Sequence, residues 1–260
     1  MYFLVYLVIG YRRKVVRGNL NLAFPEKSAT QKKEIEKEFY SRLCQLMGEV
    51  LISPFMGRDF LESKVSLKDS EGGRQVTSKE SSGSVLLTGH FFNWEWAGLR
   101  IGLMSDKPFN VVYQPVKNES LDVFFQNLRG QFGNHPVKMR RIFRVMKEES
   151  ANNPVACFLA DQSPKKSDAL FYHDFFGRKT PFHNAPIKIA RKFDYPLTFG
   201  YQEFINPGVY KVHIEVLAQN PGEWSEEELL ESYVRRLEKV IREDPANWLW
   251  SHRRWKHAAK

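Results

Sequence analysis

A histidine and a glutamate share one apolar stretch, GHFFNWEW, at residues 89–96. Burying either group without a partner is costly. His90 and Glu95 therefore either satisfy each other as structure or do chemistry. SVLLTGH reads as a short buried strand that ends at His90, and NWEWAGLRIGLM as the next helix, with Glu95 in its first turn. In open α/β sheets, sites gather at the carboxyl ends of strands. A turn there can fold Glu95 back onto one imidazole nitrogen and leave the other facing a cleft. A carboxylate so placed fixes the tautomer and stabilises the imidazolium, which makes His90 a general base. The plainer alternative is a satisfied core histidine beside a surface glutamate.

No protein nucleophile accompanies the pair. G-x-S-x-G is absent, and Ser84 opens the strand rather than following it. Cys44 and Cys157 lie far apart, away from any histidine and without C-x-x-C spacing, so they read as buried apolar side chains. A base at His90 would then activate a hydroxyl on a substrate, and the site needs cationic or N–H donors for the tetrahedral oxyanion. His173, Asp174 and His183 have no metal-ligand spacing, and no metal is expected.

The elements that must hold this pair alternate. An amphipathic helix, capped at Ser28 or Thr30, carries Ile35, Phe39, Leu43, Leu46, Met47 and Val50 at helical spacing. Residues 61–83 read as a strand, a loop and a polar helical turn. After the His90 strand and its helix come a strand stopped by Pro115 and a helix with Leu121, Phe124, Phe125 and Leu128 on one face. A further helix follows the basic run Lys138, Arg140, Arg141. NPVACFLADQSP is a strand running into a polar loop, and NAPIKIARKFDY is a helix. PLTFGYQEF and VYKVHIEVL form a hairpin about Pro207-Gly208, and a charged helix starts at Ser225. Alternating strands and helices predict an α/β fold with a mixed, largely parallel central sheet flanked by helices. No linker interrupts it. The expected organisation is an N-terminal helical or anchoring segment, residues 1–28, before one domain, residues 29–260.

The formal charge of +9 over 260 residues points to an anionic partner. Met1–Ile9 is apolar and is followed by Arg12, Arg13, Lys14 and Arg17. A spanning helix needs about 20 apolar residues, so this run suits an interfacial anchor whose cations meet anionic headgroups, or the end of a longer anchor. A buried first helix or strand is the alternative. The end, NWLWSHRRWKHAAK, mixes Trp248, Trp250 and Trp255 with His252, Arg253, Arg254 and Lys256. That mixture suits a membrane interface or phosphate groups, and equally suits stacked bases and a nucleic-acid backbone. Nucleic-acid binding is thus the rival reading, although it leaves GHFFNWE unused and no recognised signature supports it.

GHFFNWE resembles the H-x-x-x-x-E/D motif of the glycerolipid acyltransferase superfamily, in the form used by bacterial lipid A late acyltransferases. The resemblance covers most of the chain. YRRKVVRGNLNLAFPEKS is similar to the family's segment after its anchor. YQPVKNESLDVFFQNLRGQFG resembles its acyl-chain region, with Arg129 at the family's arginine. ACFLADQSP, FFGRKTPFHNAPIKIARKFDYPL and NWLWSHRRWK match further motifs in order. Gln114 stands where Tyr-Arg-Pro is common, Ala185 where glycine is common, and the anchor is short.

The resemblance implies acyl transfer from a thioester, acyl carrier protein or coenzyme A, to a hydroxyl of a lipid A precursor, another aminolipid or a lysophospholipid. No cofactor beyond that co-substrate is implied. It places the protein at the cytoplasmic face of the bacterial inner membrane, peripheral or singly anchored. The acidic carrier would be drawn to a basic face. His90 would take the hydroxyl proton and Glu95 would orient it. Arg129 would bind a phosphate or the oxyanion, or else is a solvated helix-face arginine. Asp161, beside Gln162, would pair with Arg129, hold the site loop, or only form a turn. Asn93 would position the His90 loop or cap the helix. Phe91, Phe92, Trp94, Trp96, Phe124 and Phe125 would wall an acyl groove or pack the core. A hydrolase using the same pair on water differs only in yielding a free acid.

Overall fold

The computed structural model describes residues 1–164 and 171–257. Its strands are β1 (Val65–Leu67), β2 (Ser84–Thr88), β3 (Phe109–Tyr113), β4 (His135–Lys138), β5 (Val155–Leu159), β6 (Phe171–Phe175), β7 (Arg178–Phe182), β8 (Leu197–Asn206) and β9 (Val209–Ala218). The helices are α1 (Arg13–Ala23), α2 (Ala29–Ile52), α3 (Arg58–Lys64), α4 (Glu71–Thr77), α5 (Trp94–Met104), α6 (Glu119–Arg129), α7 (Ile142–Glu148), α8 (Ala185–Phe193) and α9 (Glu226–Glu243).

Seven strands form one sheet in the order β1-β9-β8-β2-β5-β3-β4, and only the β8–β9 pair is antiparallel. This is the expected α/β fold with a mixed, largely parallel sheet. The central strands are buried on both faces, because helices cover both. Every residue of β2 and β3 is buried, which is why SVLLT and FNVVY read as continuous rather than alternating strands. The core is divided by the sheet. One cluster joins β2, β5 and β8 to α1, α2, α8 and α9; the other packs α5 and β9 on the opposite face.

Helix α2 begins with a capping box. Ser28 accepts from the Gln31 amide, and the Gln31 side chain returns to the Ser28 N–H. Ser225 and Glu228 do the same for α9. Three elements were not anticipated. Helix α3 takes residues 61–64 of the stretch read as beginning with a strand, which leaves β1 only three residues long. The four-residue β4 contains Pro136 and sits at the sheet edge, where a missing N–H is tolerated. The hairpin β6–β7 turns through Phe176 and Gly177, both at positive φ (53° and 69°), a turn that a phenylalanine rarely makes.

Residues Phe3–Val8 form a short π-helical segment. It lies against α2 through the Tyr6 and Tyr40 rings, and the Tyr40 hydroxyl donates to the Tyr11 carbonyl. Val5 and Tyr6 are buried, while Phe3, Leu4, Leu7, Val8 and Ile9 are exposed. Three of the cations expected to meet headgroups have internal partners. Arg12 donates to the Ser251 carbonyl, and Arg13 and Arg17 pair with Glu36. Among the described residues, no helix is long and apolar enough to cross a membrane.

Candidate active site

Strands β2 and β5 are parallel neighbours with Thr88 opposite Leu159. Two residues beyond each strand end stand His90 and Asp161, so the register brings them together. His90 Nδ1 lies 2.6 Å from Asp161 Oδ1, and the His90 backbone N–H donates to Asp161 Oδ2 at 2.9 Å. The Trp248 indole N–H donates to the same Oδ2 at 2.7 Å. Asp161 is 1% exposed. Burial pushes its pKa up, but the charge and hydrogen bonds of His90 and the Trp248 donor outweigh that and hold it at about 2.

An ionised carboxylate at Nδ1 keeps the proton on that nitrogen. Nε2 is then the acceptor, and the Gln162 side-chain amide lies 3.1 Å from it. The imidazole is oriented by Asp161 and not by Glu95. The expected Glu95–His90 contact is absent because Glu95 is committed elsewhere. Its carboxylate takes the Arg129 guanidinium as a fork, Nε to Oε2 at 2.9 Å and Nη2 to Oε1 at 2.6 Å, and accepts from the Trp94 indole at 3.0 Å. Asp161 accordingly does not pair with Arg129; it holds the His90 loop.

Arg129 ends α6 and its guanidinium also lies 5.2 Å from the Phe125 ring centre. Burial disfavours its charge, and the Glu95 carboxylate more than restores it, so its pKa is raised. It is not a solvated helix-face arginine.

Of the two roles considered for Asn93, the cap is the one the hydrogen bonds show. Asn93 Oδ1 accepts from the Glu95 and Trp96 amides as the N-cap of α5, and its Nδ2 donates to the buried Glu49. Glu49 also accepts from the Tyr210 hydroxyl, which ties α2 and β9 to the start of α5. No sequence signal marked Glu49, since its partners lie far along the chain.

A cleft of about 390 Å³ opens on this centre, lined by His90, Gln162, Ser163, Tyr113, Phe125 and Arg129. A narrow apolar cavity of about 30 Å³ continues beneath it, past Trp94, Glu95, Gly98 and Leu99. Arg129, Val111 and Leu159 line both. Of the aromatics considered for an acyl groove, Trp94 and Phe125 line these spaces, while Phe91, Phe92 and Trp96 are buried in the core.

Part of the C-terminal stretch is also internal. Trp248, Trp250 and Arg254 are at most 2% exposed. Arg254 stacks on the Phe182 ring and donates to the Pro181 carbonyl, and its own carbonyl accepts from Ser163. Expected at a membrane or on bases, these side chains instead buttress the Asp161 loop. Trp248 and Trp250 are therefore not at the surface, while Arg253 and Lys256 are exposed. Both cysteines are free and buried, and burial pushes the Cys157 thiol up to about 12, which suits packing and not nucleophilic chemistry. Among the described residues, no cluster of histidine, cysteine or acidic side chains could hold a metal ion.

Residues 4–257 match the family model for bacterial lipid A biosynthesis acyltransferase. A lipid A biosynthesis palmitoleoyltransferase of Escherichia coli (strain K12) is 24% identical over 267 aligned residues, spanning 94% of this chain and 79% of the relative. A lipid A biosynthesis acyltransferase of Shigella flexneri matches to the same extent.

Proposed function

Because the chain belongs to the bacterial lipid A biosynthesis acyltransferase family and so transfers acyl groups, we propose that it esterifies a hydroxyl of a lipid A precursor with a fatty acyl chain taken from acyl carrier protein. The observation that carries this reading is the His90–Asp161 pair at the mouth of a cleft whose lining serine, Ser163, donates to the Arg254 carbonyl and is not paired with His90. The acceptor hydroxyl displaces the Gln162 amide and gives its proton to His90 Nε2. Its oxygen bonds to the thioester carbonyl carbon, and the carbonyl electrons move onto oxygen. The C–S bond then breaks, the carbonyl reforms, and the leaving thiolate takes the proton back from the imidazolium. Asp161 stays ionised throughout and stabilises that imidazolium. Arg129, which lines the same cleft as His90, is the cation for the oxyanion or an anionic part of a substrate.

Purified protein given a carrier protein loaded with a labelled long-chain acyl group, together with a lipid A precursor, is expected to yield an acylated lipid. Label recovered only as free fatty acid would point to a hydrolase and sink the transferase reading.

The acyl chain enters the narrow cavity below Arg129, which must widen to take it. Gly98 sets its wall. A Cβ there meets no heavy atom within 4 Å, and a leucine in mid-helix is a better helix former than glycine. Gly98→Leu should therefore fold normally and shift donor preference to chains shorter by two or more carbons, read from competition between acyl donors. Unchanged chain selection would place the acyl chain elsewhere.

The exposed face of residues 3–9 is the membrane contact in this reading. The triple variant Leu4→Ser, Leu7→Ser, Val8→Ser should lose binding to anionic vesicles by about tenfold or more, on the scale of about 0.8 kcal/mol per buried CH₂. Its turnover of a detergent-dispersed acceptor should hold. Undiminished vesicle sedimentation would remove this segment from the membrane contact.

A further inference from the structure

The cleft at His90 does not end at the catalytic pair. Through Gln114 and Met139 it continues into a second cavity of about 440 Å³, lined also by Lys138 and Arg140. Tyr113 is also a wall of a third, of about 450 Å³, lined by Lys138, Arg140 and Arg141. Strand β4 delivers Lys138 at the sheet edge, and the single 3-10 turn after it, Met139–Arg141, presents both arginines.

Among the described residues, none of these three cations has a carboxylate at ion-pair distance. The carboxylates nearby are engaged otherwise. Glu149, which lines the third cavity, accepts from Asn110 and stands 3.7 Å from His135. Asp122, in the first cleft, accepts from the Val116 amide and the Gln126 side chain. The next cation along the chain, Arg144, shows the contrast: it faces outside these cavities and is paired with Glu148. A run of charges on a surface usually finds partners or points to solvent. Here the half-buried Lys138 and the exposed Arg140 and Arg141 line space that adjoins the His90 cleft, with no carboxylate at ion-pair distance among the described residues.

We propose that Lys138, Arg140 and Arg141 form a phosphate-ester subsite of the acyl-transfer site, holding the phosphate of a bound substrate while its reactive end lies at His90. This deepens the acyl-transfer reading and rests on it. Two guanidinium forks and a point charge match the three oxygens of a phosphate, and such charge-assisted bonds are the strong ones. Two substrates can bring that group. The thioester donor carries a phosphodiester in its phosphopantetheine arm, and a phosphorylated glycolipid acceptor carries phosphomonoesters.

The test compares wild type with the single variants Lys138→Gln, Arg140→Gln and Arg141→Gln and with their triple combination, and with Arg144→Gln as a control that removes one cation outside the cavities. Both arginines are exposed, so the fold should tolerate the change; thermal unfolding checks this. Equilibrium binding is measured to a lipid A precursor with and without its phosphates, and to a carrier-bound acyl thioester against an acyl thioester of N-acetylcysteamine, which has no phosphate. Expected is a loss of affinity of about tenfold or more in the triple variant for one phosphate-bearing ligand. The phosphate-free counterpart should be unaffected, and so should Arg144→Gln. Whichever ligand shows the loss identifies the source of the phosphate. Equal losses with and without phosphate, no loss, or the same loss in Arg144→Gln would overturn the subsite. Because the readout is binding, it separates from turnover: a wild type that binds but transfers nothing counts against the transferase reading and leaves the subsite standing.

Discussion

Asp161→Asn should lower kcat by about 10³ to 10⁴-fold while the protein stays folded, the scale seen when the carboxylate behind a catalytic histidine becomes an amide. An amide at this position can present N–H to Nδ1 and move the imidazole proton to Nε2, the nitrogen that must accept. It also removes the charge that stabilises the imidazolium. Acceptor and donor KM should change little, because Asp161 is buried behind His90 and touches neither. The same substitution has a signature in stability. The folded pKa of Asp161 is held at about 2, below the ordinary 3.8 of the unfolded chain. A depressed carboxylate contributes stability that is present above the unfolded value and lost as pH falls through the folded one. Wild type should thus shed this contribution between about pH 4 and pH 2, and acid unfolding of Asp161→Asn should lack that increment. Wild-type kcat in a folded Asp161→Asn protein would remove Asp161 from the mechanism.

The second large effect belongs to Glu95 and Arg129. Their fork is largely withdrawn from water, with side chains 5% and 22% exposed. Removing one partner of such a pair leaves the other uncompensated and costs about 3 kcal/mol. Glu95→Gln and Arg129→Met should each lower stability on that scale and reduce kcat/KM by about 100-fold. Arg129→Lys should fare little better, since a point charge cannot replace the fork. The informative experiment is the double variant. If Glu95 acts by placing Arg129, the double variant should be no worse than the poorer single one. If Glu95 acted directly on His90, the two losses would add. Additive losses would restore the Glu95–His90 pairing that the sequence suggested.

That pairing shows where sequence reading stops. His90, Glu95, Arg129, Asp161 and Gln162 were singled out in the sequence, from strand ends and from family resemblance, and the structure sets them in two bonded groups, His90 with Asp161 and Gln162, and Glu95 with Arg129. Those pairings were not legible there. The short spacing from His90 to Glu95 made a local pair attractive, whereas the His90–Asp161 contact spans 71 positions and depends on β2 lying beside β5 in register. Strand adjacency is decided by the whole sheet and leaves no mark near either residue. Trp248 was misplaced for a related reason. Tryptophan among arginines has the composition of an interface, yet an antiparallel bridge from Phe91 to Trp248 draws the end of the chain under the site, where the indole donates to Asp161. The main strands and helices were readable because their apolar periods are strong. The β6–β7 hairpin was not, because its turn sets Phe176 against its ordinary conformational preference.

A general base at residue 90 is tested by acyl transfer by wild type and His90→Gln side by side, with labelled acyl carrier protein and a lipid A precursor, after circular dichroism has shown both proteins folded. Glutamine keeps much of the volume and a hydrogen-bonding end, but cannot take a proton near neutral pH. Labelled ester should form with wild type and fall below detection with His90→Gln. Ester formed by His90→Gln at the wild-type rate would contradict a general base at residue 90, and with it the reading of this cleft as the catalytic centre.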